Sequence, residues 1–222
     1  GDKYTSNNIN INNCHVTTTS GAGINLRGGT IVGRHFGYGA TCNIYGCSNS
    51  LEISGKYGGG ITGGQVGKGG GNVTIEYCWN TGVISGVGAG GICGLRAGED
   101  DGSNVVISYC YNRGEQTGES TGGICGIYPG SKKGTLTVFN CYNNANGNDG
   151  GSYTNDDDIT QTIELQGGIL GNGVGLSDSM GGGTVYVYNC WSKGINLADG
   201  IVNNVGEGGT LYVKNCYSIG TD

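Results

Sequence analysis

The chain has 222 residues, of which 51 are glycine, ten are cysteine and one is proline, and only 13% are charged, with a formal charge of −6. No basic run or stripe is present, which argues against nucleic acid or an anionic membrane as partner, and no apolar run has membrane-spanning length. The lack of a Gly-X-Y period excludes collagen, and Val, Ile and Leu recurring at fixed spacing exclude disorder.

The repeating unit is clearest at residues 72–94, NVTIEYCWNTGVISGVGAGGICG. It reads as a β-branched strand, a Cys-aromatic-Asn corner, a second short strand, then a Gly-Gly-Ile-Cys-Gly strand. The pattern predicts an all-β, single-domain parallel β-solenoid (β-helix) of about seven coils of roughly 32 residues, wound right-handed as parallel crossovers usually are. The coils fall near 8–34, 40–63, 72–94, 104–126, 134–171 with an insertion at 144–158, 183–203, and an incomplete 209–222.

Cys14, Cys47, Cys78, Cys110, Cys141, Cys190 and Cys216 align as one column, expected to be a ladder of small buried thiols. Five residues earlier stand Ile9, Cys42, Val73, Val105, Leu136, Val185 and Leu211; three earlier stand Ile11, Ile44, Ile75, Ile107, Val138, Val187 and Val213. The residues between vary freely in polarity, the period-two mark of a strand with one buried face. A second column is Ile24, Ile61, Ile92, Ile124, Ile169 and Ile201, each preceded by glycine. No coil can bury its strand alone; stacking aligns the columns, and each inward Ile, Val or Leu then contributes on the order of 1.5–3 kcal/mol. Helix loses because no 3.6-residue apolar period exists and glycine interrupts every long window.

The pattern C-[YW]-N-x-G followed by G-G-I-x-G is carried by Cys78-Trp79-Asn80-Thr81-Gly82 with Gly90-Gly91-Ile92-Cys93-Gly94, and by Cys110-Tyr111-Asn112-Arg113-Gly114 with Gly122-Gly123-Ile124-Cys125-Gly126. Gly167-Gly168-Ile169-Leu170-Gly171 matches too, whereas Ala22-Gly23-Ile24 and Asp199-Gly200-Ile201-Val202-Asn203 depart from it. This resembles the GLUG-motif repeats of bacterial surface proteins, and the likeness covers nearly the whole chain. The resemblance implies an extracellular stalk or adhesin-like scaffold, and it brings no catalytic residue.

Ten cysteines invite metal or disulfide readings. Only His15 and His35 accompany them and no C-x2-C pair exists, a poor ligand set for zinc. Column cysteines of adjacent coils have parallel Cβ vectors, unsuited to a disulfide. Free thiols fit an oxidising exterior only when sealed or in an anaerobic source. The row after the cysteines includes Trp79, Tyr111, Tyr142, Trp191 and Tyr217, which could stack on sugars; a purely structural stack is the simpler expectation. The next row, with Asn49, Asn80, Asn112 and Asn143, is expected to serve turn backbone groups, asparagine tolerating the left-handed conformation. Asp149, Asp156, Asp157 and Asp158 in the insertion, and Glu99, Asp100 and Asp101 elsewhere, could hold Ca2+, although solvated loops are the simpler expectation.

For catalysis the carboxylates stand in separate loops, Arg34, Arg96 and Arg113 show no recurrent pairing with them, and no phosphate-binding loop is present. Thr135, Thr184 and Thr210 align, but Asn72 and Asn104 interrupt the regular threonine row that ice binding needs. The opening Gly1 and the uncapped ends fit either a segment of a longer array or coils that self-associate head to tail. The expected role is therefore a non-enzymatic extracellular or cell-surface structural and adhesive module with no cofactor (Ca2+ aside). Its partners would be its own ends, further repeats, a surface glycan or a host protein. A carbohydrate-binding or polysaccharide-cleaving β-helix is the first alternative, an ice-binding solenoid the second.

Overall fold

The computed structural model describes residues 8–17, 27–145, 152–154, 160–162, 168–177, 181–195 and 200–221. Its strands, in order, are β1 (Ile9–Asn12), β2 (His15–Val16), β3 (Thr41–Tyr45), β4 (Ser48–Asn49), β5 (Asn72–Glu76) and β6 (Trp79–Asn80). Then come β7 (Asn104–Ser108), β8 (Tyr111–Asn112), β9 (Thr135–Phe139), β10 (Tyr142–Asn144), β11 (Ser152–Thr154) and β12 (Thr160–Thr162). The last are β13 (Thr184–Tyr188), β14 (Trp191–Ile195), β15 (Thr210–Lys214) and β16 (Tyr217–Thr221). No helix occurs among the described residues.

Two seven-stranded parallel sheets run the length of the stack, β1-β3-β5-β7-β9-β13-β15 and β2-β4-β6-β8-β10-β14-β16. Every coil thus contributes one strand to each wall, and the fold is the expected parallel β-solenoid. The register joins Ile9, Cys42, Val73, Val105, Leu136, Val185 and Leu211 into one line and Ile11, Ile44, Ile75, Ile107, Val138, Val187 and Val213 into another. From the second coil to the sixth these residues are buried completely, while Ile9 and Val213, which lack a neighbouring coil on one side, are 41% and 48% exposed. Alternating residues of the same strands face outward, as the pleat requires.

The corner between the two walls lies one residue earlier than the sequence suggested. Asn13, Gly46, Tyr77, Tyr109, Asn140, Asn189 and Asn215, each immediately before a column cysteine, have φ between 52° and 66°. That left-handed residue turns the chain sharply, and the cysteine then seals the bend. Cys47 N–H, Cys78 N–H and Cys190 N–H each donate to the thiol sulfur of the next coil at 3.4 Å. Each thiol in turn donates to the carbonyl two residues back, at 3.2 Å for Cys78 to Glu76 and for Cys110 to Ser108. A small side chain that is apolar yet able to accept and donate weakly fits this corner. Cys42 belongs to β3 while Cys47 lies beyond the corner, so the two do not share a strand.

The asparagine row does not supply the left-handed residues; it lies in the second sheet and is buried. Asn112 Nδ2 donates to Asn143 Oδ1 and to Gly114 O, both at 2.8 Å, while its Oδ1 accepts from Asn80 Nδ2 at 2.7 Å and from Gly114 N–H at 3.0 Å. The side chain therefore spends every donor and acceptor, two along the stack and two on its own turn. Asn112→Leu strands these partners in a dry interior and is expected to cost about 3 kcal/mol, measured as the shift in urea unfolding free energy.

The Gly-Gly-Ile stretches form a third side through single bridges, Gly59 to Gly90 to Gly122 and Thr62 to Cys93 to Cys125 to Leu170 to Val202. Glycine is required there by close approach: a Cβ on Gly90 would sit 2.1 Å from Cys93 O, and one on Gly91 would sit 2.2 Å from Gly123 O. In the first coil the column member is Ile31, not Ile24. Gly29 pairs with Gly59, Val32 pairs with Thr62 and Ile31 N–H donates to Ile61 O at 3.2 Å. Ile24 itself lies outside the described residues. The insertion region is not all loop, since β11 and β12 form an antiparallel pair.

Candidate functional site

The aromatic row of the second wall is a ring stack. Trp79 and Tyr111 have centroids 6.0 Å apart, Tyr111 and Tyr142 4.8 Å, Tyr142 and Trp191 4.8 Å, and Trp191 and Tyr217 6.2 Å, all within 9° of parallel. Each inner ring lies between two others, so its edge rather than its face is offered outward. Only Tyr217, 55% exposed, has no further ring stacked beyond Trp191 among the described residues. On the first wall, Thr41, Asn72, Asn104, Thr135, Thr184 and Thr210 share one outer row, so threonine and asparagine are mixed within it.

Of the acidic candidates, Asp149, Asp156, Asp157 and Asp158 lie outside the described residues. The second loop departs from expectation: Glu99 is not solvated but buried, with no exposed side-chain surface. Three cations from three coils converge on it: Lys68 at 3.2 Å, Arg96 at 2.9 Å and Lys132 at 3.1 Å. Gln65 Nε2 also donates to it. Burial alone would raise the Glu99 carboxyl, but hydrogen bonds from Gln65, Lys132 and Lys68, with the Lys68 charge, outweigh it and lower the pKa from 4.5 to about 2. Glu99 is thus a hub that is ionised at neutral pH with its oxygens already committed, and Arg96 is paired where the sequence showed no pairing.

A small cavity adjoins this hub. Its volume is about 200 Å3, and Arg27, Arg34, Tyr57, Gln65, Arg96 and Tyr128 line it, with Leu95 as an apolar wall. The lining is built from two columns of left-handed corners: Arg27 and Tyr57 (φ 58° and 68°) on one side, Gln65, Arg96 and Tyr128 (62°, 56° and 58°) on the other. Gly64 N–H to Arg27 O at 3.1 Å and Leu95 N–H to Tyr57 O at 3.2 Å hold the columns side by side. Glycines in the next coil let the rings lie flat: a Cβ on Gly88 would sit 2.9 Å from Tyr57, and one on Gly173 2.4 Å from Tyr128. The cations rest over those rings, Arg27 at 5.5 Å and Lys56 at 4.9 Å from Tyr57, Arg96 at 5.7 Å from Tyr128.

Arg34 Nε donates to Gln65 Oε1 at 2.6 Å, Arg34 Nη2 reaches the same oxygen, and His35 Nε2 lies 2.9 Å from it. The amide of Gln65 therefore links Arg34 and His35 to the Glu99 hub. Glu99, Arg34 and Arg96 stand in the sequence as separate candidates, and no motif joins them into this cluster. The signal was nonetheless present, because Lys68 and Glu99 both stand seven residues after a column isoleucine, Ile61 and Ile92. A larger hollow of about 390 Å3 lies elsewhere, on the outer corner of the first wall, between Phe139, Tyr188, Asn189, Lys214 and Asn215.

All ten cysteines are free thiols; eight are buried, Cys14 is exposed and Cys216 is intermediate. Burial raises the Cys47 thiol to about 11, and holds Cys110, Cys125 and Cys141 well above the usual 9.0. Such thiols carry almost no thiolate at neutral pH and are correspondingly inert. Comparisons of the chain with models of protein families, with curated proteins and with solved structures found no match.

Proposed function

We propose that the chain is a non-enzymatic structural and adhesive module of the cell exterior, a rigid spacer of the kind found in the GLUG-like repeats it resembles. The observation that carries this reading is the unbroken in-register stack. Cysteine, asparagine and aromatic ladders hold each coil to the next, so the residues most suggestive of chemistry are engaged in cohesion. Burial of eight of the ten thiols also answers most of the objection that free cysteines are unsafe in an oxidising exterior. The edge of the first described coil presents Ile9, Ile11, Cys14 and His15, and that of the last presents Leu211, Val213, Cys216 and Tyr217. These belong to the same columns, so a second copy can continue the two apolar lines and the cysteine column head to tail, and a heterologous contact of this sort propagates.

Sedimentation velocity and negative-stain electron microscopy across a hundredfold concentration range should show rods that lengthen with concentration. A species that stays monomeric throughout removes the assembly reading. Release of reducing ends from a panel of acidic and neutral polysaccharides, abolished by Asp156→Asn, would instead establish the enzymatic alternative. A glycan-binding reading is favoured by one feature, the hollow where Phe139 and Tyr188 stand beside the amides of Asn189 and Asn215. Glycan-array binding lost in Tyr188→Ala but kept in Tyr111→Ala would locate it there rather than on the ring stack.

A further inference from the structure

We infer that the cavity between Arg27, Arg34 and Arg96 is a binding site for a single oxyanion: one carboxylate, sulfate or phosphate group, free or carried on a larger acidic molecule. The charge balance points that way first. Arg27, Arg34 and Arg96 line the cavity and Lys56 lies over its Tyr57, while no carboxylate lines it; the nearby Glu99 is paired with Arg96, Lys68 and Lys132. This excess of positive charge sits in a chain whose net charge is −6. Glu99 is already shared by three cations, and Arg34 is held by a neutral amide rather than by a carboxylate.

Hydrogen-bond accounting gives the second, independent indication. Arg27 Nε and Arg96 Nε are buried and have no partner among the described residues. A charged donor left dry and unpaired is unfavourable, and buried polar groups in folded proteins nearly always find a partner. Both orphan donors belong to side chains that line the same cavity. Guanidinium is well suited to an oxyanion, since its planar fork pairs two donors with two oxygens.

Size sets the third limit. A volume of about 200 Å3 accommodates one acidic group, below the roughly 300–1,000 Å3 of sites that enclose a whole drug-sized ligand. The arginines are also positioned in advance, Arg27 and Arg96 by Tyr57 and Tyr128, and Arg34 by Gln65, which is 4% exposed. Little ordering is therefore left to oppose binding. The inference is independent of the scaffold reading: the cavity exists whether or not the coils assemble.

Isothermal titration at low ionic strength with sodium glucuronate, sodium sulfate and sodium phosphate tests it. One saturable site per chain is expected, weakened at least about tenfold in the Arg27→Gln/Arg34→Gln variant and unchanged in Arg113→Gln, whose guanidinium lies over Tyr111 instead. Tightest binding of glucuronate assigns a carboxylate ligand; tightest binding of sulfate or phosphate assigns a tetrahedral one. Absence of saturable binding by all three, or an equal loss in Arg113→Gln, overturns the proposal. Should the double variant fail to fold, the arginine Nε–H resonances of the wild-type protein decide. Those of Arg27 and Arg96 should move on saturation while Arg113 stays in place, and stationary signals from both Arg27 and Arg96 would refute the site.

Discussion

Alkaline titration is expected to unfold this protein steeply as the pH rises from about 9 to about 11. The cause is the cysteine ladder. Desolvation holds Cys47, Cys110, Cys125 and Cys141 above the 9.0 of a free thiol, and a hydrogen bond with Cys110, together with burial, does the same for Cys78. Below 9 both folded and unfolded chains keep these protons, so the contribution to stability is fully present there. Above 9 the unfolded chain loses them while the folded one cannot, and stability falls as the pH climbs toward the folded values. Each thiol that keeps its proton in the folded chain removes about 1.4 kcal/mol per pH unit above 9, and several such thiols act in the same direction. Native stability is only about 5–15 kcal/mol, so their joint effect is large. Thiolate absorbance near 240 nm and far-ultraviolet circular dichroism should therefore change together in one cooperative transition. Thiolate signal from the buried cysteines appearing gradually in a still-folded protein would contradict the sealed ladder.

The second large effect lies at the opposite end of the pH scale. Glu99→Leu is expected to destabilise the fold by about 3–5 kcal/mol, because it leaves Lys68, Arg96 and Lys132 converging on a site without its anion. The wild-type protein should show the same dependence through protonation. With the carboxyl lowered from 4.5 to about 2, its contribution is present above 4.5 and is lost as the pH falls through 2, in total about 3 kcal/mol. Urea unfolding at pH 7 and pH 3 separates the two: the wild-type midpoint should fall between them, and the variant should start lower and change less. Equal acid sensitivity in both would remove Glu99 from the account.

What was legible in the sequence was whatever the pleat and the stack impose on every coil. Ile75, Ile107 and Val138 share one interior line because strands alternate by two and coils repeat by column, and both periods are visible without coordinates. The first coil departs from the second column because glycine before isoleucine marks Ile24, whereas the residue that joins the stack is Ile31. At the true position Thr30 stands where later coils have glycine, and its hydroxyl donates to Gly60 O. The left-handed corner was misplaced for a similar reason. Asn13, Gly46, Asn140, Asn189 and Asn215 do carry the expected residue types, but Tyr77 and Tyr109 interrupt the row. The Glu99 hub was missed because its partners come from three coils and belong to no motif. Charge pairing across a stack is set by column position, and columns beyond the Gly-Gly-Ile stretch vary too much in type to attract notice.

The solenoid requires coils lying flat on one another at the spacing of a β-sheet, and pulsed electron resonance measures that spacing directly. Spin labels would be placed at Thr41 and, in turn, at Thr135, Thr184 and Thr210, in a background with Cys14 and Cys216 replaced by serine. These positions share one outer row, three, four and five coils apart. The mean distance should rise in equal steps of about 4.8 Å, through roughly 14, 19 and 24 Å. Distances that fail to rise in order, or that jump by the width of a separate layer, would contradict the stacked solenoid and every assignment built on it.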